Sequence, residues 1–314
     1  MTFVRIRRSP LAFLPLAALA LLSVMGCEAE EDEVVSAIQL EVSEVEHEGF
    51  AQPAGVVVDP ENDVYLVSHI NGSPAERDGN GFISRISPDG EVLDLRWIDL
   101  TGTDRALNSP RGMAIRGDSL FVVDIACIRI FELATGIDDG YTCLDGVSYL
   151  TDVDVGPEGS IFVTDAGLES ENGVLQPTET DAVYRIVLAE GRRGATLGHG
   201  EEMGNPMGIA VGSRGIFVTT SGSGELYALT PAGDKTSIFP PSQRELAGLV
   251  FLPDGSFVFS SSSDGTLTMV DAGGQVIDLA EGIPDPQGLA YDVARHRLIV
   301  TSPGENRIFF LDLP

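Results

Sequence analysis

Lysine is almost missing from this chain of 314 residues: Lys235 is the only one, and 19 basic residues face 48 acidic ones, a net charge of −29. A field of that sign repels nucleic acid and anionic lipid, so neither is expected as a direct partner, and the acidity reads first as a solvated surface. Histidine is scarce as well. His47, His69, His199 and His296 are dispersed, and no H-x-x-x-H or C-x-x-C spacing marks a transition-metal site. The serine run Ser260 to Ser263 comes without G-x-S-x-G or an evident base. Ser221 to Gly224, SGSG, lacks the lysine of a phosphate loop, and Asp78 to Gly81, DGNG, lacks the later acidic ligands of a calcium loop, so both read as turns. The one extended apolar run, Leu11 to Leu22, is too short to span a bilayer.

That run belongs to the amino-terminal leader. Residues 1–26 combine a positive start (Arg5, Arg7, Arg8), the apolar stretch and a small residue, Gly26, immediately before Cys27. The arrangement resembles the bacterial lipobox, which implies that Cys27 becomes the lipidated first residue of the mature protein. A plain secretory leader that happens to precede a cysteine is the alternative. Residues 27–33, with EAEEDE at 28–33, have the composition of a solvated linker. The expected address is the bacterial cell envelope, on the periplasmic or cell-surface side, with membrane contact through the lipid alone.

Beyond Cys27 only two cysteines remain, in an expected oxidising compartment. Cys127 opens the strand CIRIFEL and Cys143 lies in the next, YTCL, across a turn at Ala134 to Asp138. An antiparallel hairpin turning near Thr135 sets them opposite each other, which makes a disulfide geometrically reasonable; two buried free thiols are the other reading.

The rest of the chain repeats one phrase. Asn205 to Thr220, NPMGIAVGSRGIFVTT, reads as two short strands joined by a turn. Versions start at Gln52 (QPAGVVVDPENDVYLVSH), Ser109 (SPRGMAIRGDSLFVVD), Leu150 (LTDVDVGPEGSIFVTD), Leu246 (LAGLVFLPDGSFVFSS) and Pro286 (PQGLAYDVARHRLIVTS). Six copies spaced by roughly 40 to 60 residues indicate a radial repeat. Later repeats add a third and a fourth strand, such as ELYAL and KTSIF at Glu225 to Phe239, but the last stops after RIFFLDL at Arg307 to Leu313. The strand VSAIQLEVSEV, Val35 to Val45, can supply the missing outer strand and leave no open edge. The expected fold is therefore all-β: a six-bladed β-propeller over residues 34–314, its last blade closed by the amino-terminal strand.

The pattern P-x-G-I-A-V, turn, apolar pair, V-T/S-D resembles the NHL-type propeller repeat and the related gluconolactonase-like (senescence marker) family. That family's divalent cation is held by a glutamate opening the first blade, an asparagine in a later P-N-G motif and an aspartate ending that blade's second strand. In this sequence the matching positions are Ala54, Met207 and Thr220, none of which replaces a carboxylate or amide on a hard cation. The resemblance thus implies the fold without the usual metal site.

If first strands begin and second strands end on one face, both sets of residues ring one mouth of the channel. Ionisable groups then gather in the first three blades as His69, Arg111, Asp124, Asp152 and Asp165, with Gln287 contributed by the last. They are a candidate pocket for a small polar ligand, or for calcium on the three aspartates. The same aspartates also suit capping of strand ends, and both readings stay open. Two long connections, Ile70 to Gly81 and Gly167 to Asp181, open on this face. The expectation is a monomeric, lipid-anchored propeller that binds a small molecule or protein without catalysis and with no cofactor. The alternative is a lactonase with its metal site relocated to Asp124, Asp152 and Asp165.

Overall fold

The computed structural model describes residues 40–156, 159–172, 174–187 and 194–314. The leader, Cys27 and the acidic linker lie outside the described residues. Strand β1 (Glu41–Glu46) comes first, followed by β2 (Pro53–Asp59), β3 (Val64–His69), β4 (Phe82–Ile86) and β5 (Val92–Ile98), which form the first blade. The second blade is β6 (Pro110–Arg116), β7 (Ser119–Asp124), β8 (Cys127–Glu132) and β9 (Asp138–Cys143). The third contains β10 (Leu150–Val155) and β11 (Ser160–Asp165), then a separate hairpin of β12 (Leu168–Glu171) and β13 (Val174–Pro177), then β14 (Ala182–Val187) and β15 (Gly194–His199). The fourth is β16 (Pro206–Gly212), β17 (Gly215–Thr220), β18 (Leu226–Leu229) and β19 (Lys235–Phe239). The fifth is β20 (Leu246–Phe251), β21 (Phe257–Ser261), β22 (Thr266–Val270) and β23 (Val276–Ala280). The sixth joins β24 (Leu289–Asp292), β25 (Arg297–Ser302) and β26 (Arg307–Asp312) to β1.

Each blade is an antiparallel four-stranded sheet, and the ring is a six-bladed β-propeller. Closure follows the expectation: β1 pairs antiparallel with β26, from Glu41 opposite Asp312 to Glu46 opposite Arg307. Arg307 also forms ion pairs with Glu44 and Glu46 across this join. Without β1 the donors and acceptors of β26 would stand open as a free sheet edge. The loop expected at Gly167 to Asp181 instead folds into the β12–β13 hairpin.

The apolar core is divided into six clusters, each filling the seam between two neighbouring blades. Phe50, Tyr65 and Val67 of the first blade pack against Ile299, Ile308 and Phe310 of the sixth. At the seam between the third and fourth blades, Phe162 and Val183 meet Ile209, Val218 and Tyr227. A strand in a blade is buried on both faces, which is why β3, β11 and β21 have no exposed residue. On the outer strands of the second blade, Cys127 and Cys143 are register partners and form a disulfide.

Candidate functional site at the channel mouth

The first strand of each blade is innermost, and the six together line an axial channel of about 360 Å³. Its mouth is formed by Ala54, Arg111, Thr151, Met207, Ala247 and Gln287, one residue per blade. Deeper in, five blades present a glycine (Gly55, Gly112, Gly208, Gly248, Gly288) and the third presents Asp152. Two residues further, Val57, Ala114, Ala210, Val250 and Ala290 occupy the place that Asp154 takes in the third blade.

In five blades the last-but-one residue of the repeated phrase is a serine or threonine, for a structural reason. At five seams the last-but-one residue of the second strand donates its hydroxyl to a mouth carbonyl of the next blade. Ser68 bonds Arg111 O at 2.7 Å, Thr164 bonds Met207 O at 2.8 Å, Ser260 bonds Gln287 O at 2.8 Å and Thr301 bonds Ala54 O at 2.7 Å, while Thr219 reaches Ala247 O. The same oxygens accept N–H groups of their own innermost strands, for example Gly55 N–H at 2.9 Å and Gly248 N–H at 2.8 Å. The blades approach so closely here that a Cβ on Gly55, Gly208, Gly248 or Gly288 would strike the neighbouring carbonyl. Between the second and third blades Val123 stands in the hydroxyl's place.

The residues expected to share one rim separate into two sets. Those opening the first strands do line the channel. Those closing the second strands are set back from it, because the second strand lies one strand spacing, about 4.8 Å, further from the axis. His69, Asp165, Thr220, Ser261 and Ser302 are fully buried and Asp124 nearly so. Arg111, Asp152 and Gln287 therefore reach the channel, whereas His69, Asp124 and Asp165 do not.

Asp124 and Asp165 do matching work in successive blades. Asp124 accepts the N–H groups of Ser109 at 2.7 Å and Asn108 at 3.1 Å. Asp165 accepts those of Tyr149 at 2.9 Å, Gly167 at 3.0 Å and Ser148 at 3.1 Å. Each carboxylate holds the chain that enters its own innermost strand. Burial pushes both above the usual carboxylate range against the lowering effect of these bonds. His69 is stacked on Phe82 at 4.4 Å; its Nδ1 accepts Ala51 N–H at 3.3 Å, which leaves Nε2 to donate to Ser84 Oγ at 2.9 Å. Burial lowers its pKa to about 3, so the ring is neutral.

At the mouth, Arg111 is, among the described residues, the one basic side chain lining the channel. Its guanidinium lies 4.3 Å over the Tyr149 ring, and Nη2 donates to Tyr149 OH and, at 3.3 Å, to Pro74 O. Pro74 belongs to the long connection of the first blade, so Arg111 ties that loop to the rim. On the sixth blade Gln287 donates from Nε2 to Asp285 Oδ1 at 2.9 Å. Tyr149 and Asp154 were not singled out from the sequence; setting the six phrases in register exposes Asp154 as the second departure in the third blade.

The relocated metal site is not assembled. Asp124 and Asp165 turn to their own loops and Asp152 into a seam, and among the described residues no three His, Cys, Asp or Glu side chains stand close enough to hold a metal ion. The family's own cation does not fit either. Ala54 and Met207 offer no hard donor, and Thr220 Oγ1 is engaged with Ser223 Oγ at 2.7 Å and Glu225 N–H at 2.8 Å.

No protein-family model matches the chain, and no curated protein matches it in sequence. Solved structures do match in fold. A streptogramin B lyase is 11% identical with a TM-score of 0.62, over 88% of this chain and 98% of that one. A gluconolactonase from Xanthomonas campestris is 17% identical with a TM-score of 0.62, over 88% and 90%. A catalytically inactive histidine-to-alanine variant of virginiamycin B lyase from Staphylococcus aureus, with quinupristin, is 14% identical with a TM-score of 0.58, over 88% and 100%. The chain thus shares the six-bladed propeller of gluconolactonase-like and virginiamycin B lyase proteins.

Proposed function

We propose that this chain is an extracytoplasmic, lipid-anchored propeller that binds a small polar ligand at the channel mouth without catalysing a reaction. The reading rests on one observation: a cavity of about 360 Å³ whose rim carries, among the described residues, a single guanidinium, Arg111, held over Tyr149, with an amide, Gln287, on the sixth blade, two blades round the ring. That volume is in the range of small-molecule sites, where a few fixed polar groups give orientation and selectivity. The lipobox-like Cys27 and the acidic linker support an anchored address.

Two features weigh against the hydrolase and lyase alternatives. Ala54, Met207 and Thr220 fill the positions where the gluconolactonase-like family keeps metal donors. The inactive virginiamycin B lyase variant lacks one histidine, and here no histidine lines the channel.

The test is a thermal-shift panel of small polar compounds on the full chain and on Arg111→Ala, with calcium and a lactone series alongside. Binding at the mouth raises the melting temperature of the native chain and not of Arg111→Ala. Turnover of any lactone, or a calcium-dependent rise, would sink the non-catalytic reading and revive the metal-dependent one.

A further inference from the structure

The third blade breaks the ring's pattern with two carboxylates, and both face one neighbour. Asp152 accepts Val153 N–H through Oδ1 at 2.9 Å and, from the fourth blade, Ile209 N–H through Oδ2 at 3.0 Å. Asp154 repeats the bridge one step deeper, with Val155 N–H at 2.7 Å and Val211 N–H at 2.6 Å. Two carboxylates thus clasp the innermost strands β10 and β16, where the corresponding places elsewhere in the ring hold glycine and alanine or valine.

No cation compensates them. Among the described residues neither aspartate takes part in an ion pair. Packed against β10, β6 contributes Arg111, which is occupied by Tyr149 and Pro74 O, and at its far end Arg116, whose guanidinium lies against Gly159 in the β10–β11 turn; β16 contributes no titratable side chain. On β11 the one titratable group, Asp165, is bound to loop N–H groups, and on β7 Asp124 is likewise. Across the channel stand the neutral Gln287 and Tyr291. Residues i and i+2 of a strand share a face, so the two carboxylates lie on the same side of β10.

We propose that Asp152 and Asp154 make the seam between the third and fourth blades a pH-sensitive switch, tightened as the pair takes up protons and loosened when both carboxylates ionise. A neutral carboxyl keeps its carbonyl oxygen for one of the two N–H groups and turns its hydroxyl to the channel. Two ionised groups keep all four N–H bonds but place like charges side by side away from bulk water, a cost that drawing water into the seam relieves.

The direction of titration agrees. Burial pushes Asp152 up to about 7, with the charge on Asp154 adding to it, and Asp154 up to about 6. A carboxylate whose folded value is raised favours the folded state when protonated. The contribution is complete below the ordinary carboxylate value and is lost as pH rises through about 6 to 7.

The experiment measures melting temperature at pH 5 and pH 8 for the full chain, for Asp154→Ala, which installs the residue three other blades carry, and for Asp152→Asn. The natural chain should lose at least about 3 °C more on going to pH 8 than either variant. Amide exchange at Ile209 and Val211 should accelerate with pH beyond the intrinsic base dependence, whereas Ala210, bonded within the blade, should not. Equal pH responses in all three chains overturn the proposal. If the variants do not fold, carboxyl carbon-13 titration of the natural chain decides it: one aspartate titrating above pH 6 with a coupled shift at Ile209 supports the switch, and both titrating below pH 5 sinks it.

Discussion

Gly112 is pressed against Asp152: a Cβ on Gly112 would collide both with Asp152 Oδ1 and, at 2.5 Å, with its Cα. The second blade's glycine is thus shaped by the third blade's carboxylate, and each position constrains the other. Gly112→Ala should lower stability by about 2 kcal/mol, within the range for overpacking a rigid site. Combining it with Asp152→Gly should recover only part of the loss, because the carboxylate is then gone but the Asp152 Cα, 2.5 Å from the new Cβ, remains. Urea unfolding of the two chains checks this.

Asp165 holds three backbone N–H groups in the interior. Asp165→Ala strands them, and at about 1 to 3 kcal/mol for each unsatisfied buried group the expected loss is about 3 kcal/mol or more, with Asp165→Asn milder. A loss under about 1 kcal/mol would mean that water takes over these bonds and that the residue is free for another role.

His69 should remain neutral across the physiological range. Its folded pKa lies near 3 against an ordinary 6.5, so its stabilising contribution is present above pH 6.5 and lost as pH falls toward 3. The natural chain should lose about 2 kcal/mol between pH 8 and pH 5 from this group alone, opposite in sign to the Asp152 and Asp154 contribution. Imidazole nitrogen shifts that move between pH 7 and pH 5 would contradict the buried geometry.

The disulfide closes a loop with a sequence separation of 16. Chain-entropy arguments put its contribution near 3 kcal/mol. Comparison of urea midpoints with and without reductant, and with Cys127→Ala combined with Cys143→Ala, should give that figure within a factor of two and leave the ring folded.

Removing β1 should do more damage than its six residues suggest. Truncation after Glu46 exposes the edge of β26 from Arg307 to Asp312, and an exposed edge invites pairing between chains. The expected result is aggregation or dimer formation on size exclusion, reversed by adding the missing strand as a peptide. A well-behaved monomer of unchanged stability would show that the closure is dispensable.

The ring, its six blades and its closure were legible in the sequence because the repeat fixes them column by column, and the Cys127–Cys143 pairing followed from equal distance to one turn. Radial position was not legible. The phrase places His69, Asp124 and Asp165 level with Arg111 and Asp152 along the axis, and only the sheet spacing reveals that the first three stand behind the wall. The hairpin at Leu168–Pro177 read as a loop because its strands are short and rich in Glu, Ser and Gln; their order comes from pairing with each other rather than from burial of an apolar face. Asp154 escaped notice because D-V-D-V alone looks like an ordinary half-exposed strand, and its oddity appears only beside Ala114, Ala210 and Ala290.

Closure by β1 also orients the molecule. Glu41 pairs with Asp312, Asp312 with Arg297 and Arg297 with Asp292, a row at the pole of the ring opposite Arg111 and Gln287. The described chain therefore begins, at Leu40, on the underside. Were the chain held through Cys27, as proposed, the open end of the channel would point away from the side that is held.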